Sequence, residues 1–134
     1  DPGLENMEAM QMKPLTAFIE QDHEAHIAAH SAFIRTRMVQ INPPVYANLQ
    51  GHMSQHVSMK ASTEINEIMQ QDPQMAQLAQ ENPQQYKMMF DSQVAKRIAQ
   101  ITGQLAENES MADRQKQDPI VMLKQSEQKI RTRK

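Results

Sequence analysis

The sequence predicts an all-α fold, a helical hairpin followed by further helices, on three observations. Apolar residues recur at three- and four-residue spacings along most of the chain, which is the period of a helix face. No stretch alternates apolar and polar with a period of two. Four expected helix starts carry an acid or amide before a proline, at Asn42-Pro43, Asp72-Pro73, Asn82-Pro83 and Asp118-Pro119, and a cap followed by proline at the first position opens a helix.

Taken in order, residues 1–14 carry Pro2, Gly3 and Pro14 and read as an extended arm or linker. Residues 15–71 read as the hairpin. Asp22 can accept from the free amides of a first turn, so a helix is expected from Asp22 to about Gln40. Its buried stripe would draw on Ala25, Ala28, Ala29, Ala32, Phe33 and Val39, mostly small residues that permit close packing. Asn42, Pro43 and Pro44 then stop and restart the chain, and a second helix runs to about Gln71. Val45, Leu49, Met53, Val57, Ala61, Ile65 and Ile68 mark its stripe. A short connection makes the two helices antiparallel neighbours.

Residues 72–134 supply the further helices. A two-turn helix lies between Asp72-Pro73 and Asn82-Pro83. Asn82 with Gln85 three residues later resembles a capping box. Tyr86, Phe90, Val94, Ile98, Ile101 and Leu105 then mark a long helix to about Glu107, with Gly103 weakening its end. Asp118-Pro119 opens a last helix through Ile120, Val121, Leu123 and Ile130. From Arg114 onward seven bases face two acids, a basic tail.

Composition narrows the function classes. The chain has 134 residues, no cysteine or tryptophan, twelve methionines and nineteen glutamines. Such helices have little material for a self-sufficient core and are suited to packing in an assembly. The net charge of -2 argues for neither nucleic acid nor membrane by bulk electrostatics. No apolar run approaches a membrane span. The opening DPGLEN and closing RTRK suggest a segment of something longer.

All five histidines fall in two segments, DHEAHIAAH (residues 22–30) and HMSQH (residues 52–56), on either side of Ile41–Pro44. Each segment holds a pair spaced four apart, which shares one helix face. Counted from Pro43 with equal rise on both arms, His30 falls level with His56, each thirteen residues away. The reading taken is a polar packing layer without cofactor or metal. His26, His30, His52 and His56 are the candidates should a cation be held, with Asp22 or Glu24 as the supporting carboxylate.

Nothing in the pattern supports an enzyme. His23-Glu24 is followed by His26, one residue too early for the HExxH zinc-protease pattern. The serines fall within helical stretches, and three glycines make no phosphate loop. Phe18, Phe33, Tyr46, Tyr86 and Phe90 are too scattered for a base-stacking platform.

The ordered blocks FIEQDHEAHIAAHSAFI, NPP, LQGHMSQHVSMK and QDPIVMLKQSEQKI resemble the C-terminal region of tailed-bacteriophage portal proteins, especially those of marine and cyanobacterial phages. The resemblance covers Thr16 to Ile130. It implies a head-tail connector ring of about twelve copies at a capsid vertex, closed by rotational symmetry. It further implies contacts with capsid, adaptor and terminase proteins, passage of viral DNA without sequence preference, assembly in the host cytoplasm, and no catalytic residues.

Overall fold

The computed structural model describes residues 1–117, and among them every regular element is a helix. The elements are α1 (Pro2–Met10), α2 (His23–Ile34), α3 (Arg37–Gln40), α4 (Pro43–Gln71), α5 (Pro73–Glu81) and α6 (Pro83–Gln117). The all-α expectation holds. No described helix is long and apolar enough to cross a membrane. The expected last helix after Asp118-Pro119, and most of the basic tail, lie outside the described residues. The chain divides into two compact units, Asp1–Ile98 and the part from Ala99 onward, with α6 running from the first into the second.

Within the first unit α2 and α4 form the hairpin, and α1 contacts both of them. The N-terminal residues expected as an arm are thus a helix. Asp1 caps it, accepting from the Gly3 amide at 2.8 Å, and Pro2 takes the first position. Its far end closes with paired bonds, Met12 N–H to Ala9 C=O at 3.0 Å and Lys13 N–H to Glu8 C=O at 3.0 Å. That is the Schellman arrangement, which needs a left-handed residue after the cap. Met12 takes it at φ 59°. Capped at both ends, α1 is a defined element that can place side chains on the hairpin.

The first arm of the hairpin is not one helix to Gln40. It ends at Ile34, and Thr36 turns extended (φ -69°, ψ 151°) before the single turn of α3. The Thr36 hydroxyl donates to Phe33 C=O at 2.7 Å, and Gln40 Nε2 donates to Ile34 C=O at 2.7 Å. Carbonyls released by the break are thereby satisfied. The corner brings Val39 into a core with Ala9, Ile34, Val45 and Leu49.

The buried stripe of α2 also differs from the expected alanine stripe. Ala25, Ala28 and Ala32 are exposed, Ala29 and Phe33 are half-buried, and only Val39, now on α3, is buried. The face turned inward carries His23, His26, Ile27, His30 and Ile34. On α4 the expected stripe holds for Val45, Leu49, Val57, Ala61 and Ile65, with Met53 half-buried. Its last member shifts from Ile68, which is 63% exposed, to Met69. His52 and His56 are buried on the same helix.

Gly51 sits inside α4, and a methyl group there would meet no atom within 4 Å. Gly51→Ala is therefore expected to stabilise the chain by about 0.5–1 kcal/mol in denaturant unfolding, because alanine loses less backbone entropy in a helix.

α5 follows α4 with Asp72 as its cap, accepting from the Gln74 amide at 2.9 Å. Asn82 accepts from the Gln85 amide at 3.2 Å, while its own side-chain amide donates to Gln85 Oε1 at 3.3 Å. The reciprocal bond thus joins two side chains instead of reaching back to the cap amide as a capping box does. An ion pair between Arg97 and Glu64 links α6 to α4.

A buried cluster of five histidines and one carboxylate

Four histidines meet one carboxylate between α1, α2 and α4. His26 and His30 come from α2, His52 and His56 from α4, and Glu5 from α1. One potential ligand atom from each of the five side chains lies within 4.8 Å of all the others. His30 and His56 are 0% exposed and His52 2%, so these rings form an interior layer and not a solvated helix face.

The centre of the layer is a single oxygen. Glu5 Oε2 lies 3.2 Å from His26 Nδ1, 3.0 Å from His30 Nε2 and 2.9 Å from His52 Nε2. His56 Nε2 lies 3.1 Å from His52 Nε2. The rings pack closely as well. His26 stacks on His56 with centroids 4.6 Å apart, and His30 meets His52 edge-on at 4.9 Å.

Those pairings correct the expected register. The structure sets His26 level with His56 and His30 level with His52, while the His30 and His56 centroids are 5.8 Å apart. The shift is about one helical turn. Its cause is the corner at Thr36, which spends residues of the first arm on a change of direction instead of on rise along α2.

Outer contacts settle which nitrogens carry protons. A backbone carbonyl can only accept, so the 3.2 Å bond from His23 Nε2 to Ile19 C=O places the proton on Nε2. Neutral His23 then has a bare Nδ1, and its 2.8 Å partner, His56 Nδ1, must donate. That leaves His56 Nε2 bare and facing the centre. Likewise His30 Nδ1 donates to Asn6 Oδ1 at 2.7 Å, leaving His30 Nε2 bare in the neutral ring. His52 Nδ1 is buried with no hydrogen-bond partner among the described residues.

Charge follows from this packing. Burial pushes the His56 pKa from 6.5 down to about 4, and the charges of His52, His26, His23 and His30 add to the effect. Burial also lowers His30, helped by His52 and His26 and opposed by Glu5. For Glu5, burial alone would raise the pKa. The hydrogen bond from His52 and the charges of His26, His52 and His30 outweigh it and hold the carboxyl below its ordinary range.

All four histidines singled out from the sequence are therefore brought together, with His23 beside them as a support for His56. Asp22 is not among the cluster ligands; it caps α2, accepting from the Ala25 amide at 3.1 Å. Glu24 is exposed. Sequence reasoning misses Glu5 and Asn6 because Pro2, Gly3 and Pro14 make residues 1–14 read as an arm. Asp1-Pro2 is a fifth instance of the cap-then-proline device, and reading it so puts Glu5 and Ala9 on one face of a helix.

Compared with protein-family models, with curated proteins and with solved structures, the chain matches none.

Proposed function

We propose that the chain is a structural segment of an oligomeric virion assembly, the C-terminal helical region of a portal-type ring at the head-tail connection. The observation that carries this reading is how little the C-terminal helices of the first unit cover themselves. α5 has no buried residue, and Tyr86, Met89, Phe90, Val94 and Ile98 along α6 are only half-buried. Ile68 on α4 and Met88 on α6 are 63% and 73% exposed. Exposed apolar side chains on helices with so small a core of their own favour completion by neighbouring copies.

The sequence blocks that resemble phage portals supply the kind of assembly, and the role follows from it. Such a segment contributes surface to a ring through which viral DNA passes without sequence readout. Its protein contacts would be further copies of itself and the capsid, adaptor and packaging-motor proteins around the vertex.

Cryo-electron microscopy and copy counting of the parent particle test the reading. The expected result is a ring of about twelve copies at one vertex, the closed symmetry such a reading requires. Hundreds of copies spread over a shell would assign the chain to a scaffold or cement component, and a free monomer would end both readings.

A further inference from the structure

We propose that Glu5, His26, His30, His52 and His56 form a binding site for a divalent transition cation of the zinc class, held between α1, α2 and α4. This inference stands on the geometry of the first unit and does not depend on the assembly in which the chain serves.

The lone pairs make the case. With His23 and Asn6 fixing the outer nitrogens, His56 Nε2 and His30 Nε2 both aim unprotonated nitrogen inward. His30 Nε2 then confronts a carboxylate oxygen at 3.0 Å, while the one proton on His52 Nε2 is shared between Glu5 Oε2 at 2.9 Å and the bare His56 Nε2 at 3.1 Å. A nitrogen lone pair 3.0 Å from a carboxylate oxygen is repelled unless a positive centre lies between them. A proton placed there would charge the His30 ring, which is sealed from water. One dication satisfies the lone pairs of His30, His56 and Glu5 at once.

The spacing suits a metal. Ligands about 2.0–2.2 Å from a shared zinc lie roughly 3.3 Å apart at tetrahedral angles. Glu5 Oε2 is 2.9–3.2 Å from three imidazole nitrogens, close to that spacing, and all five ligand atoms lie within 4.8 Å of one another, so the wider pairs would draw inward on a bound ion. Imidazole and carboxylate donors suit zinc, cobalt and nickel, whereas magnesium and calcium take oxygen shells. Five protein donors are at hand where zinc takes four, so the chain can close the site without water, as a structural centre does.

Outer partners are present as well. A ligating histidine characteristically donates its other nitrogen to a carbonyl, carboxylate or water, which fixes the ring. Asn6 does this for His30, and the relay from His56 through His23 to Ile19 C=O does it for His56. His23 is accordingly a positioning residue. The five ligands come from three helices, so the cation ties α1 to the hairpin.

The test uses the full 134-residue chain without a histidine tag, stripped with chelator. Zinc titrated by calorimetry is expected to bind at one per chain, cobalt to give the visible bands of a low-coordinate nitrogen and oxygen site, and magnesium to give no heat. Glu5→Gln and His52→Gln should each weaken zinc at least 10-fold. His23→Gln should weaken it about 10- to 100-fold, keep the stoichiometry, and shift the cobalt bands while circular dichroism holds. Absence of both zinc heat and cobalt bands in a chain that retains its helical signal overturns the proposal. So does unchanged zinc affinity in a folded Glu5→Gln, His52→Gln double variant. Should that double variant not fold, the cobalt spectrum of the unaltered chain decides.

Discussion

In metal-free buffer the chain is expected to lose about 3 kcal/mol of stability between pH 7 and pH 4 from His56 alone, with His30 adding to the loss. The direction follows from which state binds protons. Unfolded histidine titrates near 6.5, while folded His56 resists protonation until about 4. Between those values the unfolded chain holds more protons, so stability rises with pH there and falls on acidification. Full stability is present above the unfolded pKa. Glu5 acts in the same sense further down, because its lowered folded pKa contributes stability above the ordinary carboxyl range that is lost as pH falls through it. For a domain whose total stability is typically about 5–15 kcal/mol, this is a large share. Urea unfolding at pH 7.5 and at pH 4.5, each with chelator, measures it. Equal midpoints at the two pH values would show that the histidine layer is wet or protonated already.

Glu5→Ala is expected to cost about 1–3 kcal/mol at neutral pH, the range for leaving a buried donor without its acceptor. Its carboxylate is 15% exposed and accepts from His52 Nε2 at 2.9 Å, with His26 Nδ1 beside it at 3.2 Å. Removing it takes the acceptor from the His52 donor in the interior, and the cost of an unsatisfied buried group exceeds the worth of a single bond. The loss should be local as well as global. Besides Asn6 and Ala9 α1 buries little, so without Glu5 it should loosen from α2 and α4 before the hairpin opens. Amide exchange resolved by residue is the measurement, with faster exchange expected in Pro2–Met10 than in the Leu49 region of α4. A variant within 1 kcal/mol of the parent, with α1 still protected, would mean that the helix is held by Ala9 packing alone.

Much of the helical content was legible in the sequence for a local reason. Caps, prolines and apolar spacing act over a few residues, so Asn42-Pro43, Asp72-Pro73 and Asn82-Pro83 mark the starts of α4, α5 and α6 wherever those helices end up. The stripe Val45, Leu49, Val57, Ala61 and Ile65 was legible for the same reason, because each lies three or four residues, or a multiple of that, from the next. Asp1-Pro2 carried the same sign, and only its place at the start of the chain disguised it as an arm. The break at Thr36 had no comparable mark. Neither proline nor glycine stands there, and the corner is made by Val39 entering the core with Ile34 and Val45.

The candidate site divides along the same line. Its histidines were conspicuous because their four-residue spacing places pairs on one face, whatever that face meets. Which face of α2 turned inward was not decided by hydrophobicity, since the alanines offered an apolar alternative that the structure leaves exposed or half-buried. What tipped the choice was a partner distant in sequence. Glu5 stands 21 residues from His26 and 47 from His52, and a carboxylate with Asn6 beside it makes burial of a histidine face affordable.

The sequence by itself thus determined an all-α chain, the boundaries set by caps and prolines, and two histidine rows that could meet across a hairpin. Only the tertiary structure decided that the rows meet His26 to His56 and His30 to His52, that α1 supplies the carboxylate at their centre, and that His23 and Asn6 orient the rings. The physical reason is the range of the forces involved. Capping and helical periodicity are written within a turn or two of chain, whereas the pairing of buried polar atoms depends on elements that come together only after the corner at Thr36 has set their levels.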